Sequence, residues 1–181
     1  MNREYVKRIL SNREQFENIK LGYTDTYKIN NIVLNFLNLN SMFELRDRFE
    51  GEVFLNTFSV KVKGAIALEK FLEIELIDWD NLTPNNYSSN LSKIGLEIDI
   101  ISSDNGSFPI VERNSVRPAI IINIVGTNNL WICGYASVDV LNNNQSDRFY
   151  SGMMNRETKT AFIGYDKLVK FKSIQELFKL K

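Results

Sequence analysis

The chain has 181 residues, with 22 basic and 22 acidic side chains, no histidine and one cysteine, Cys133. Zero net charge argues against a protein that works by coating phosphate, whose affinity comes from neutralising it. The missing imidazoles exclude Ser-His-Asp and Cys-His nucleophilic systems, histidine-ligated zinc and ordinary imidazole acid–base chemistry. A lone cysteine excludes an intrachain disulfide and a structural zinc site.

Taken in chain order, residues 2–20 read as an amphipathic helix with Tyr5, Ile9, Phe16 and Ile19 on one side and Gly22 as its stop. The N-terminus is charged from its third residue and has no apolar signal core, and no run approaches 18 uncharged apolar residues. A soluble, cytoplasmic chain with no membrane span is the expectation. Thr24 or Thr26 serves as the cap of a second helix, where Ile29, Ile32, Val33, Phe36 and Leu37 follow the i, i+3, i+4, i+7 template. Met42 to Phe49 fits either period, after a candidate cap at Ser41.

From Gly51 the period changes. Phe58, Val60 and Val62 alternate with Ser59, Lys61 and Lys63, which predicts a strand with one wet face. Gly64 then opens a short helix with Ala65, Leu68 and Leu72 inward. Residues 78–93 are a polar connection. Ile94, Leu96, Ile98 and Ile100 alternate along a strand over 94–101, and the Asp104-Asn105-Gly106 turn suits a hairpin or a slightly longer β-connection. Pro109 places the next strand at an edge or marks its first residues. AIIINIV (119–125) is apolar enough for a strand covered on both faces, and a Gly126 turn leads into LWICGYA (130–136). Together these predict a meander. Ser137 caps a short helix, 143–160 read as a loop, and Ser173 with Glu176 forms a capping-box signature.

The expected fold is α+β: N-terminal helices, then a central mostly antiparallel or mixed sheet with flanking helices. One domain spans 1–181, with a helical part over 1–50 and a sheet-containing core over 51–181. Asn is the most overused residue, 22 of 181, which reads as an AT-rich coding genome and carries no function.

Without histidine, catalysis must use carboxylates, Lys, Tyr or a hard cation held by oxygen. Glu97 and Asp99 are two apart on the predicted strand and leave the same face. Asp78 and Asp80 flank Trp79 after the helix that bears Glu69, Glu73 and Glu75. A helix acid, a turn acid and a strand acid leading into a meander resemble the PD-(D/E)XK nuclease family over about residues 60–140. The resemblance implies Glu69, Asp80, Glu97 and Asp99 as catalytic residues, with Mg²⁺ held by Asp80, Glu97 and Asp99 and DNA as the partner. Asn85 is an alternative at the turn, and Glu112-Arg113-Asn114 a later register. The family's strand lysine falls on Asp99 or Ile101 here, so Lys93 or Lys63 would have to reach in.

The other class in view is a non-catalytic structural or protein-interaction component of a phage or mobile element. Lys159, Lys167, Lys170 and Lys172 interleave with Phe162, Tyr165 and Phe171, a pattern that grips single strands or snorkels around a half-buried strand. Cys133 reads as a buried small hydrophobe, and Trp79 and Trp131 as core or rim residues. Gly126, Gly134, Gly152 and Gly164 form neither GxxxxGK[ST] nor GxGxxG, so neither a nucleotide cofactor nor haem is expected.

Overall fold

The computed structural model describes residues 3–150 and 155–180. Helix α1 (Arg3–Arg8) is followed by a 3₁₀ turn (Leu10–Gln15) and then by strand β1 (Glu17–Lys20). The single helix expected over 2–20 therefore breaks in two. Its apolar stripe has a gap between Ile9 and Phe16, and Phe16 turns extended (φ −104°, ψ 142°). Pairing of Glu17–Lys20 with a sheet edge satisfies the backbone instead.

Helix α2 (Tyr23–Phe36) starts one residue after Gly22, whose N–H donates to Asp25 Oδ2 at 2.8 Å. Gly22 thus opens this helix, and Thr24 and Thr26 lie inside it rather than capping it. Helix α3 (Met42–Asp47) resolves the ambiguous stretch, with Ser41 Oγ accepting from the Glu44 N–H at 3.2 Å. Helix α4 (Gly51–Leu72) replaces both the strand expected over 58–63 and the short helix after it. Phe58 and Val62 fit both periods. What decides is their continuation through Leu55, Ala65 and Ile66, all buried on one helical face. Gly64 is needed at the crossing, because a Cβ there would stand 2.0 Å from Ser102 Oγ.

The remaining elements are β2 (Asp99–Ser103), β3 (Ile110–Glu112), β4 (Ala119–Val125), β5 (Asn129–Ala136), α5 (Val138–Asn143), β6 (Gln145–Ser146), β7 (Lys159–Phe162) and α6 (Ile174–Leu180). They form a four-stranded sheet in the order β1-β5-β4-β2 and a three-stranded sheet in the order β3-β7-β6. The α+β class stands, with helices flanking a mixed sheet. The meander does not. Strand β2 runs parallel to β4, with Ile100 opposite Ile120, and β3 leaves for the second sheet to pair antiparallel with β7. The Asp104-Gly106 turn redirects the chain between sheets instead of closing a hairpin. Strand β2 also begins late, since Ser92–Ile94 is a 3₁₀ turn and Gly95 is left-handed at φ +80°. Leu96, Ile98 and Ile100 still enter one core together.

Strand β4 is buried on both faces along nearly its whole length. Ile120, Ile122 and Ile124 join α2 and α4 in one core, while Ala119 and Ile121 join Tyr5, Phe16, Phe108, Phe162 and Tyr165 in another. Pro109 precedes β3, an edge strand, and its carbonyl accepts from the Phe162 N–H at 2.8 Å. The polar stretch 143–160 contributes β6, a 3₁₀ turn (Asp147–Phe149) and the start of β7. Residues 151–154 of it, Gly152 included, lie outside the described residues, as does residue 2 of the first expected helix. Ser137 and Ser173 accept the N–H groups of Val140 and Glu176, both at 3.3 Å. Among the described residues no helix is long and apolar enough to cross a membrane.

Candidate functional site

The carboxylates singled out in the sequence divide between two clefts. Glu69 sits in the last turn of α4, and its Oε1 accepts the N–H groups of Leu76 and Ile77 at 2.8 and 2.7 Å. Those bonds tie down the chain after the helix, which ends at left-handed Glu73 (φ +54°). Asp80 is exposed in the following turn. Glu69, Glu75, Asp78, Asp80 and Lys93 line one open cleft of about 400 Å³. Asp78 is held below the usual carboxylate range, chiefly by the Asn81 side-chain amide, which donates to it at 2.9 Å. Lys63 lies elsewhere, donating to the Thr127 carbonyl at 3.1 Å.

Glu97 and Asp99 do share a face, as their spacing requires. Glu97 Oε2 is paired with Arg117 Nη2 at 2.8 Å. Asp99 opens β2 and lines a second cleft of about 310 Å³ with Glu112, Arg117, Ser115 and Lys159. Burial pushes the Asp99 carboxyl up, Arg117 opposes this and Glu97 reinforces it. Across the same cleft Lys159 Nζ approaches Glu112 Oε1 at 3.7 Å. Among the described residues no three His, Cys, Asp or Glu side chains gather as a ligand set for a metal ion.

Two features of this region leave no local trace in the sequence. Glu112 and Lys159 meet only because β3 pairs with β7, with Glu112 opposite Lys159; 47 positions of separation hide the pair. Asp147 likewise accepts from Arg113 Nη2 at 2.7 Å and Thr160 Oγ1 at 2.8 Å, and these hydrogen bonds depress its pKa.

The aromatic members of the C-terminal basic segment are interior. Phe162, Tyr165 and Phe171 are buried, so their faces are not open to bases. Lys170 sets its ammonium over the Phe16 ring, Nζ at 4.4 Å from the centroid, and donates to the Cys133 carbonyl at 2.6 Å, a cation–π contact rather than a head group left in water. Cys133 is fully buried, and burial raises its thiol pKa. Trp79 and Trp131 are half-buried, with Lys28 Nζ standing 4.9 Å over the Trp79 ring.

The arrangement defines an α+β protein in which the carboxylates singled out in the sequence line two different clefts, one at the end of α4 and one between the two sheets. Comparisons with family models, curated proteins and solved structures return no match for the chain.

Proposed function

We propose that the chain is a non-catalytic structural or protein-interaction component that associates through α3 and the first turns of α4. One observation carries the reading: Phe43 on α3, Phe49 in the turn that follows it and Val53 on α4 are 71%, 90% and 63% exposed. Phe49 and Val53 flank a groove of about 450 Å³ with Leu37 and Phe54. Phe54 also stacks on Phe36, with ring centroids 5.8 Å apart and planes 5° from parallel. Apolar surface left in water costs about 25 cal/mol per Å² until something covers it.

The rim carries both signs: Arg48 and Glu50 line the groove, and Arg46 Nε lies 3.6 Å from Glu52 Oε1 in an exposed pair beside it. A two-fold contact could set each sign against its opposite, and zero net charge offers no long-range repulsion between copies. A second copy of the chain is the partner that this rim fits. Sedimentation velocity from about 1 to 300 µM spans the affinities expected of a modest isologous contact. Wild type should move toward dimer with concentration, and Phe49→Ser/Val53→Ser should stay monomeric. A wild type that is monomeric throughout removes this reading.

A metal-dependent nuclease-like action on DNA is the second reading. It is favoured by the cleft that Asp99, Glu112, Arg117 and Lys159 line, since a lysine there stands beside one strand acid, Glu112, that lacks one in sequence. Such chemistry needs a cation to stabilise charge on phosphate and a group to orient water. Plasmid and single-strand cleavage with Mg²⁺, Mn²⁺ or EDTA tests it, with wild type beside Glu97→Gln/Asp99→Asn. EDTA-sensitive cutting lost in the double variant supports it, and no cutting with either metal ends it.

A further inference from the structure

The cleft between the two sheets opens on strand edges. It touches three residues in a row on each side, 99–101 of β2 and 110–112 of β3. Side chains along a strand alternate between faces, so a space that meets three in succession lies along the strand's edge. The two edges differ. On β2 the Ile100 N–H donates to the Ser89 carbonyl at 2.8 Å, and the Ile100 carbonyl accepts from Ser89 Oγ at 2.9 Å. That edge is closed.

The β3 edge is open. The Arg113 N–H donates to the Thr158 carbonyl at 2.7 Å, and the Phe162 N–H to the Pro109 carbonyl at 2.8 Å. Alternate positions of this antiparallel pair therefore bond to β7, and Ile110 and Glu112 turn their backbone groups away from it. The Glu112 carbonyl is taken by Ser115 Oγ at 3.0 Å and Gln145 Nε2 at 3.2 Å. The N–H and C=O of Ile110 and the N–H of Glu112 are left without a hydrogen-bond partner among the described residues. Ile110 and Val116, 36% and 87% exposed, put aliphatic surface beside them. Asp99 adds charge. Its carboxylate accepts no hydrogen bond among the described residues, while Arg117 is paired with Glu97 and Lys159 with Glu112. Glu97, Asp99 and Glu112 thus outnumber Arg117 and Lys159 by one in and beside the cleft.

We propose that this cleft binds an extended peptide that pairs with the β3 edge and sets a lysine or arginine side chain at Asp99. Donor, acceptor and donor spaced along an extended strand are answered together by another peptide backbone, which carries both kinds of group at the same repeat. A phosphate offers acceptors alone and meets Asp99 as a like charge. The peptide's cation balances Asp99, and aliphatic side chains on either side of it cover Ile110 and Val116. The site goes beyond the self-association proposed for α3 and α4 and shares no residue with that surface. It occupies the cleft that the metal-dependent reading would use, and EDTA separates the two.

The test is amide NMR on the full chain with acetyl-Ser-Val-Lys-Val-Ser-amide as probe. Two control peptides accompany it, one with norleucine in place of lysine and one with its backbone nitrogens methylated. The probe should shift the Ile110 and Glu112 amides and bind with Kd on the order of 0.1–1 mM. Norleucine should weaken binding about three- to fivefold, the worth of one partly exposed ion pair, and N-methylation should abolish it. Asp99→Asn should bring the lysine peptide to the norleucine level and leave the norleucine peptide unchanged. Ile110→Pro should remove binding of both, with no bond to β7 lost, because that N–H faces outward. If that variant fails to fold, the N-methylated peptide decides in wild type. EDTA and Phe49→Ser/Val53→Ser should change nothing, so this site fails or stands apart from both readings above. Three results overturn it: no shift at Ile110 and Glu112 with several millimolar peptide, equal binding of the N-methylated form, or binding that EDTA removes. Shifts of the same two amides with protein concentration alone would overturn it too, by giving the edge to a second copy of the chain.

Discussion

The two faces of the four-stranded sheet are built on different principles. Toward α2 and α4 the strands present Ile100, Ile120, Ile122, Ile124, Leu130 and Ile132 against Leu55, Phe58, Val62 and Ala65. That core is almost wholly aliphatic. Toward the second sheet they present Ala119, Ile121 and Cys133 against Tyr5, Phe16, Phe108, Phe162 and Tyr165, with Asn123 fully buried among them. The first face is stabilised by transfer from water and close packing. The second face gives up some of that stability to bury hydroxyls and an amide whose hydrogen bonds are incomplete. The two faces of one sheet thus separate a side that specifies the fold from a side that holds polar groups in place.

Truncation on the aliphatic face should have the largest effect. Ile122→Ala removes a fully buried side chain under α4 and should cost about 2–5 kcal/mol through lost transfer energy and a cavity. Urea denaturation measures it, and a change below about 0.5 kcal/mol would falsify the account of this core.

On the polar face, Tyr165→Phe should cost about 1–3 kcal/mol, because it leaves the buried Asn123 oxygen with only the weakly donating Cys133 thiol, 3.6 Å away. Adding Asn123→Leu to that variant should recover most of the loss, since both partners are then apolar. Loss that simply doubles in the pair would mean that shape, rather than hydrogen bonding, governs this face.

Alkaline pH sharpens the contrast further. Burial raises the pKa of the Tyr165 phenol and the Cys133 thiol above their ordinary values, so the folded state holds those protons more tightly than the unfolded state. Their contribution is complete below the unfolded pKa values and is lost as pH rises through the folded ones. Melting temperature should hold to about pH 8 and fall above about pH 9. The fall should be shallower in Tyr165→Phe/Cys133→Ala. Tyr87, which packs edge-on against Phe58 on the aliphatic side, is pushed up to about 12 and supplies the part that persists. Identical curves for the two proteins would show that these groups are not buried as described.

The smallest effect belongs to the cleft between the sheets. Asp99 has its pKa raised by burial, so its charge works slightly against folding once the pH exceeds the unfolded value. Asp99→Asn should raise the melting temperature slightly at pH 7 and leave it unchanged near pH 3. A lower melting temperature at pH 7 would show that attraction to Arg117 outweighs burial there.

Local chemistry was enough to read the caps at Ser41, Ser137 and Ser173, the doubly covered strand at 119–125, the α+β class and the interior position of Cys133. Each depends on residues within a few positions of one another: a side-chain oxygen meeting an N–H three residues on, or an unbroken apolar run. The periodicity of Phe58 to Lys63 is too short to separate strand from helix, and the buried stripe from Leu55 to Ile66, packed across β2 at Gly64 and Ser102, settles it. Strand β1 is four residues whose backbone is satisfied by β5, more than a hundred positions away. No local signal could have taken those residues out of a helix. The carboxylates show the same limit. Alternation set Glu97 and Asp99 on one face, but the fold alone put Glu69 and Asp80 in a different cleft and brought Lys159 to Glu112. The buried cluster around Tyr165 draws on Tyr5, Ser103, Asn123 and Cys133. Those residues come from four separate elements, and their convergence is a property of two sheets meeting rather than of any stretch of sequence.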